Sequence, residues 1–188
     1  MPDGYRSLAT LLERFCFASL ILFATSLACG CRTLSPDTTR IHVRFIPQAE
    51  QNYCGVTCLS MVLRHFHIPM EMGKLAEEAF VPALNGSTPE LLADVAEKYG
   101  LHATIRHASL EEMELELKNG VLPIAYIPPA KERSIGHFIL VTGISRNRGQ
   151  MRAHDGSHRN QWLIATEKTY LSILVSVALD PGNRNPAE

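Results

Sequence analysis

The order of helical and extended patterns along the chain is the feature that most constrains its fold. Before Gly120, apolar residues recur at helical spacing in several segments, whereas the runs after Gly120 are extended and rich in Ile, Val and Leu. We predict strands at residues 122–127, 137–144, 150–154 and 172–179. Segregation of this kind favours an α+β domain with an antiparallel sheet over an alternating βαβ fold.

The predicted helices have recognisable boundaries. Thr88 has the character of an N-cap because Pro89 follows it in the first helical turn. Ser109 and Glu112 have the spacing of a capping box. Upstream of the helices, apolar and polar residues alternate over residues 41–45, which predicts a half-buried strand. The helices themselves are predicted at residues 54–68, 72–80, 89–99 and 110–119.

The N-terminal residues have the character of an export signal. The run Phe15–Ala28 is uncharged and follows two arginines. Its length of about fourteen residues is short for a permanent membrane span, which takes roughly twenty, and suits a secretory signal peptide. Small residues then lead into Cys29 and Cys31, as in bacterial lipoprotein signals, in which a cysteine becomes the acylated N-terminus.

We therefore expect an exported domain that is anchored to a membrane of the cell envelope by a lipid on Cys29 or Cys31. A signal peptide cleaved after Ala28, an uncleaved anchor and a soluble chain remain as alternatives. The predicted organisation is a signal peptide of the lipoprotein type at residues 1–30, a tether at 31–40, the domain at 41–180 and a loose tail at 181–188.

Composition excludes several classes of protein. A chain of 188 residues has no room for a fused transporter or ATPase. Its 18 Lys and Arg against 19 Asp and Glu give a formal net charge of -1, so we do not expect a nucleic-acid partner. Outside the leader, the cysteines are Cys54 and Cys58, which is too few for a domain stapled by disulfides.

The segment around Cys54 has the features of a nucleophilic site. A cysteine at a helix N-terminus meets the positive end of the helix dipole, which favours the thiolate over the thiol. Gly55 has no side chain to block a substrate. Gln48, on the preceding loop, is placed to turn its amide toward an oxyanion beside the Cys54 backbone N–H.

A histidine and a carboxylate are predicted to meet on the second-half sheet. A turn at residues 145–149 places Ile144 opposite Gln150. Continuing that register puts Asp155 two positions from the partner of His137, on the same face of the sheet. Such diagonal neighbours lie about 7–8 Å apart at the backbone, a distance that an imidazole can bridge. His137 is then the candidate base and Asp155 its orienting group.

These motifs together resemble a known family. In order and approximate spacing they are similar to the papain-like cysteine peptidases that process bacteriocin precursors after a double-glycine leader. The resemblance covers most of residues 45–180. Its residues are Gln48, Cys54–Gly55, the apolar helix that follows them, Gly136–His137 with its β-branched run, and Asp155–Gly156.

The resemblance implies a papain-like fold, a peptide or protein substrate and a reaction without a cofactor. It implies Cys54 as nucleophile, His137 as general base and then acid, Asp155 as orienter of His137, and Gln48 as oxyanion-hole donor. Two positions depart from the family pattern. Tyr53 stands where an Asp often precedes the cysteine, and Gly156 stands where a Pro often follows the Asp.

Other interpretations remain open beside the peptidase. The chain is alternatively a catalytically silent surface module that binds a peptide or an assembly partner. Cys58 is predicted to be a core residue, with a disulfide or redox partnership with Cys54 as the rival. His154, predicted to point away from Asp155, and His158 do not complete a structural-zinc spacing, and neither do His65 and His67, so we expect no metal.

Overall fold

The computed structural model of the chain describes residues 38–129, 136–156, 161–164 and 173–180. The predicted signal peptide, the candidate acylation sites Cys29 and Cys31, and the predicted tail lie outside these residues. Among the helices described, none has the length and hydropathy needed to cross a bilayer. The elements, in chain order, are β1 Thr38–Arg40, α1 Cys54–His65, α2 Met72–Ala79, α3 Pro89–Lys98, β2 Leu101–His107, α4 Leu110–Lys118, β3 Leu122–Ile127, β4 His137–Ser145, β5 Gln150–His154, β6 Gln161–Ile164 and β7 Ile173–Leu179.

The predicted caps start α3 and α4. Thr88 Oγ1 accepts a hydrogen bond from the Leu91 N–H at 3.2 Å, with Pro89 as the first helical residue. Ser109 Oγ accepts from the Glu112 N–H at 3.2 Å, while Glu112 Oε2 accepts from the Ser109 N–H at 2.7 Å. Both helix starts are confirmed because a cap satisfies backbone donors locally, before any tertiary contact is made.

The strands form one antiparallel sheet in the order β2-β7-β3-β4-β5-β6, and β1 pairs with the C-terminal end of β4. Consecutive residues of β3 and β4 are buried, so both faces of the sheet centre are covered. Helices α1 and α3 contact strands of the sheet, and α4 packs against β1, β3 and β4. The expected α+β domain with an antiparallel sheet is confirmed.

The hairpin of β4 and β5 differs from the predicted register at its turn. Ser145, rather than Ile144, lies opposite Gln150. A register shift between Val141 and Gly143 then cancels this one-residue offset, so that Leu140 lies opposite His154, as the predicted register requires. The predicted register is therefore wrong by one residue at the turn and correct at the end of β4 that carries His137.

Three other features of the fold differ from the sequence predictions. Residues 41–45 do not form a strand, although the Ile41 N–H donates to the Thr142 carbonyl at 2.9 Å, and the strand is instead Thr38–Arg40, at the end of the predicted tether. The predicted alternation of burial is nevertheless present, since Val43 is buried between exposed neighbours. Strands β2 and β6 were not predicted; β2 forms a full ladder with β7, and β6 pairs with β5.

A buried carboxylate holds β1 against the domain. Glu114, on α4, accepts hydrogen bonds from Thr39 Oγ1 at 2.8 Å and Lys118 Nζ at 2.8 Å, and its carboxylate forms an ion pair with Arg146 Nε at 2.7 Å. The hydrogen bond from Lys118 lowers the pKa of the Glu114 carboxyl below its ordinary value of 4.5, and Thr39 and Arg146 lower it further. Because the folded-state pKa lies below the unfolded one, this contribution to stability is present above the unfolded pKa and is lost as the pH falls through the folded pKa.

We expect Glu114→Gln to lower the free energy of unfolding at pH 7 by about 1–3 kcal/mol, because it removes charged hydrogen bonds from a buried acceptor. The difference from wild type should shrink as the pH falls below about 4.5. Urea unfolding at pH 7 and at pH 3.5 measures both. The control is Glu111→Gln, since the exposed Glu111 also bonds Arg146 but should leave stability unchanged. Equal stability losses in the two variants would contradict the role of Glu114.

Candidate active site

Cys54 is the first residue of α1 and faces the start of β4. Its side chain is 8% exposed, and its Sγ accepts a hydrogen bond from the Phe138 N–H at 3.5 Å. The first turn of α1 contains no acidic residue that would offset the positive end of the helix dipole. At the N-terminus of α1, the Cys54 sulfur therefore lies beside backbone N–H groups whose positive charge no cap side chain or first-turn acidic residue offsets.

Three of the four predicted site residues line one cleft of about 510 Å³, namely Gln48, Cys54 and His137. One wall of the cleft is the segment from Leu84 to Glu90, which joins α2 to the start of α3. The other wall is made by Tyr126 of β3 and the start of β4. The cleft thus brings a thiol, an imidazole and an amide to one opening.

Asp155 directly follows β5. Burial is the main cause of the raised pKa of Cys58, and the negative charge of Asp155 raises it further. The next residue, Gly156, accepts a hydrogen bond from the Gln48 N–H at 2.9 Å. The turn after β5 therefore connects the fourth predicted residue with the loop that carries Gln48.

The side chain of Gln48 is held by its own loop. Its Nε2 donates to the Glu50 carbonyl at 2.7 Å, and the same carbonyl accepts from the Tyr53 N–H at 3.3 Å. Asn52, within this turn, has a φ of 65°, a conformation that asparagine tolerates better than most residues. The loop thus ends directly at the N-cap of α1, and its hydrogen bonds place the Gln48 amide on the cleft side.

Cys58 is a core residue, as predicted. It has no exposed surface, and burial raises the pKa of its thiol well above the ordinary value of 9.0, with the charges of Cys54 and Asp155 raising it further. Both cysteines are free. A thiol that is buried and kept protonated does not attack a disulfide, so the arrangement does not favour the redox interpretation.

His154 serves the core rather than the cleft. It is fully buried, its Nε2–H donates to the Val43 carbonyl at 3.1 Å, and its ring packs on Phe45 with centroids 5.3 Å apart. Within the described ranges, no three His, Cys, Asp or Glu side chains are grouped to bind a metal ion. His158, which was considered with His154, lies outside those ranges.

Gly55 allows a close approach between α1 and Ser87, a contact that the sequence did not predict. A Cβ at this position would lie 2.7 Å from Ser87 Oγ and 2.8 Å from Ser87 Cβ, so glycine permits the cleft wall to approach the helix. Ser87 is fixed there because its Oγ–H donates to the Ala79 carbonyl at 2.6 Å. Gly136 similarly makes room for the ring of Tyr126. No local sequence signal identified Ser87 or Tyr126, since these contacts join distant segments.

Comparison with known proteins identifies similar chains. The model of the Peptidase C39 family matches residues 42–166. A double glycine motif protease from an AMS/PCAT transporter, solved with its leader peptide, is 20% identical, with a TM-score of 0.56 over 74% of this chain and 94% of that chain. The peptidase domain of Streptococcus ComA, a bifunctional ABC transporter involved in quorum sensing, is 18% identical, with a TM-score of 0.58 over 74% and 100%.

A C39-like peptidase from Bacillus anthracis is 17% identical, with a TM-score of 0.61 over 77% of this chain and 98% of that chain. No curated protein sequence matches the chain. At these identities the solved structures establish the fold, and the predicted papain-like fold is confirmed.

We expect Gly55→Ala to lower the free energy of unfolding by about 1–3 kcal/mol, because the new methyl group overpacks Ser87. Gly73→Ala is the matched control, since Gly73 is also the second residue of a helix and its nearest neighbour to an added Cβ is 4.0 Å away. There alanine should raise stability by up to about 1 kcal/mol through its helix propensity. Urea unfolding of both variants measures the difference, and stabilisation by both substitutions would contradict the contact.

Proposed function

Because the chain belongs to the Peptidase C39 family and is a cysteine peptidase, we propose that it hydrolyses peptide bonds with Cys54 as nucleophile, His137 as base and Asp155 as orienter. The observation that carries this proposal is the convergence of Cys54, His137 and Gln48 on one cleft. The role proposed for Asp155 is supported by its position directly after β5, whose last residue His154 lies opposite Leu140, three residues after His137.

The first half of the reaction forms an acyl-enzyme. His137 takes the thiol proton of Cys54, and the thiolate sulfur attacks the carbonyl carbon of the scissile peptide. The C=O electron pair moves to oxygen, giving a tetrahedral oxyanion that the Cys54 N–H and the Gln48 amide stabilise. The intermediate collapses, the C–N bond breaks, and the imidazolium of His137 gives its proton to the leaving amine.

The second half releases the product. His137 takes a proton from water, whose oxygen attacks the thioester carbonyl of acylated Cys54. The same amide donors stabilise the second oxyanion, which collapses with cleavage of the C–S bond. The imidazolium of His137 returns its proton to the sulfur, which regenerates the thiol, and the product carboxylic acid loses its proton to solvent. These steps need no cofactor.

The proposed substrate is a peptide that is cut after two glycines. The support comes from the family, because the similar AMS/PCAT protein is a double glycine motif protease that was solved with a leader peptide. In this chain the nucleophile lies between the Leu84–Glu90 wall and Tyr126. Glycines carry no side chains to displace these walls, which is consistent with such a substrate.

We also propose that the domain acts outside the cytoplasm, anchored by a lipid on Cys29 or Cys31. The support is the uncharged run Phe15–Ala28 followed by small residues and cysteines.

To test the anchor, the full chain is produced in a bacterium that is fed an alkyne-labelled fatty acid. We expect label in the membrane fraction, with either Cys29→Ser or Cys31→Ser abolishing it, because one cysteine becomes the acylated N-terminus. The substitution that leaves the label intact is the matched control. Absence of label in the wild-type chain would contradict lipidation.

The test of the nucleophile is iodoacetamide alkylation of the full chain across pH 5–9, read by peptide mass spectrometry. At pH 6 we expect the alkylation of Cys54 to be at least tenfold faster in the wild-type chain than in the His137→Ala variant, because the imidazolium of His137 stabilises the thiolate. Cys58 is the internal control and should stay unreactive in the folded protein because its thiol is buried and protonated.

Cleavage of a fluorogenic peptide with Gly-Gly before the reporter amide tests the reaction itself. Activity that is lost in Cys54→Ala and His137→Ala, and reduced in Asp155→Asn, supports the triad. If Cys54 reacts no faster at pH 6 in wild type than in His137→Ala, and no peptide is cut, the silent binding module is the better interpretation.

A further inference from the structure

We propose that Gly156 is a positioning residue for the oxyanion hole, which it serves through Gln48. This inference rests on the proposed function, in which the Gln48 amide stabilises the oxyanion. Gly156 immediately follows Asp155, so one turn then serves both the imidazole and the oxyanion. The residue that follows the Asp thereby becomes a determinant of the rate of acyl transfer.

The backbone of Gly156 holds the backbone of Gln48. The Gly156 carbonyl accepts a hydrogen bond from the Gln48 N–H at 2.9 Å. Gly156 has a φ of +81°, which aims this carbonyl in a direction that an ordinary L-residue rarely supports. Proline, with φ fixed near −65°, does not adopt this conformation. The hydrogen bond to Gln48 thus depends on a turn that glycine is suited to make.

The missing side chain of Gly156 is equally important. A Cβ at this position would lie 2.7 Å from Gln48 Oε1 and 3.3 Å from Gln48 Cβ. The Gln48 side chain therefore lies in the space that any other residue would fill. Its Oε1 is set against Gly156, and this orientation turns its Nε2 toward the Glu50 carbonyl.

The orientation of the amide leaves one donor for the substrate. Nε2 carries two N–H groups, and the Glu50 carbonyl engages one of them at 2.7 Å. Among the described residues, no hydrogen bond occupies the second, and Gln48 lines the cleft beside Cys54. A Cβ at position 156 pushes Oε1 away and rotates or displaces the amide, so the second N–H no longer meets the oxyanion.

The test compares two reactions of Cys54 in the full chain. Acylation by p-nitrophenyl acetate passes through a tetrahedral oxyanion: the thiolate attacks the ester carbonyl, a C–S bond forms and p-nitrophenolate leaves. Alkylation by iodoacetamide displaces iodide at a saturated carbon and forms no oxyanion. A residue that acts through Gln48 changes the first rate and leaves the second unchanged.

We expect Gly156→Ala to slow acylation at least tenfold, toward the roughly 100-fold loss typical of a removed oxyanion-hole donor. The pH profile of alkylation should be unchanged. Gly120→Ala is the matched control, since Gly120 has a φ of +76° and nothing within 4 Å of an added Cβ. Gly156→Asn, compared with Gly120→Asn, carries the same Cβ in a residue that tolerates positive φ, and is used if the alanine variant does not fold.

Coupling to Gln48 provides the second criterion. If Gly156 acts through this amide, the double variant Gln48→Ala with Gly156→Ala acylates no more slowly than Gln48→Ala alone. The inference is overturned if Gly156→Ala matches Gly120→Ala, or if the two effects are additive. A fall in alkylation in parallel with acylation also overturns it, because that pattern indicates an effect through Asp155. Failure of wild-type Cys54 to be acylated at all refutes the proposed function, and this inference with it.

Discussion

The pairing of β4 with β3 on one side and β5 on the other is the constraint on which the site depends. Residues 138–145 are buried, so their backbone groups must be satisfied by neighbouring strands rather than by water. That pairing fixes His137 at one end of β4, opposite Ile127, and β5 ends at His154, which Asp155 follows. The Phe138 N–H donates to Cys54 Sγ, and this contact links the sheet to α1.

The register shift in β4 lies where β1 contacts that strand. Gly143 lies at the register shift, and a Cβ there would be 2.9 Å from the Thr39 carbonyl, so glycine lets β1 approach. Thr39 is also the residue that Glu114 binds. The contact that docks β1 thus lies where the hairpin changes register, and beyond the shift Leu140 lies opposite His154, the residue before Asp155.

The parts of the fold that were predictable from the sequence are those set by local interactions. The caps at Thr88 and Ser109 satisfy donors within one turn, and the four candidate residues stand in recognisable local patterns. The course of residues 41–45 was not predictable, because its contacts come from distant segments: the Ile41 N–H donates to the Thr142 carbonyl, and the His154 imidazole donates to the Val43 carbonyl. In β2, buried and exposed residues alternate only over residues 101–104, and the strand is defined by its pairing with β7, about seventy residues later.

The two residues that depart from the family pattern, Tyr53 and Gly156, each make a specific contact in this structure. Tyr53, directly before Cys54, packs on Phe80 with ring centroids 4.7 Å apart, so an aromatic contact links the N-cap of α1 to the end of α2. Gly156 adopts a positive φ and leaves the space that Gln48 fills. Proline offers neither property, since its φ is fixed and its ring would occupy that space. A proline at position 156 therefore requires a different path for the Gln48 loop, so residue 156 and that loop must change together.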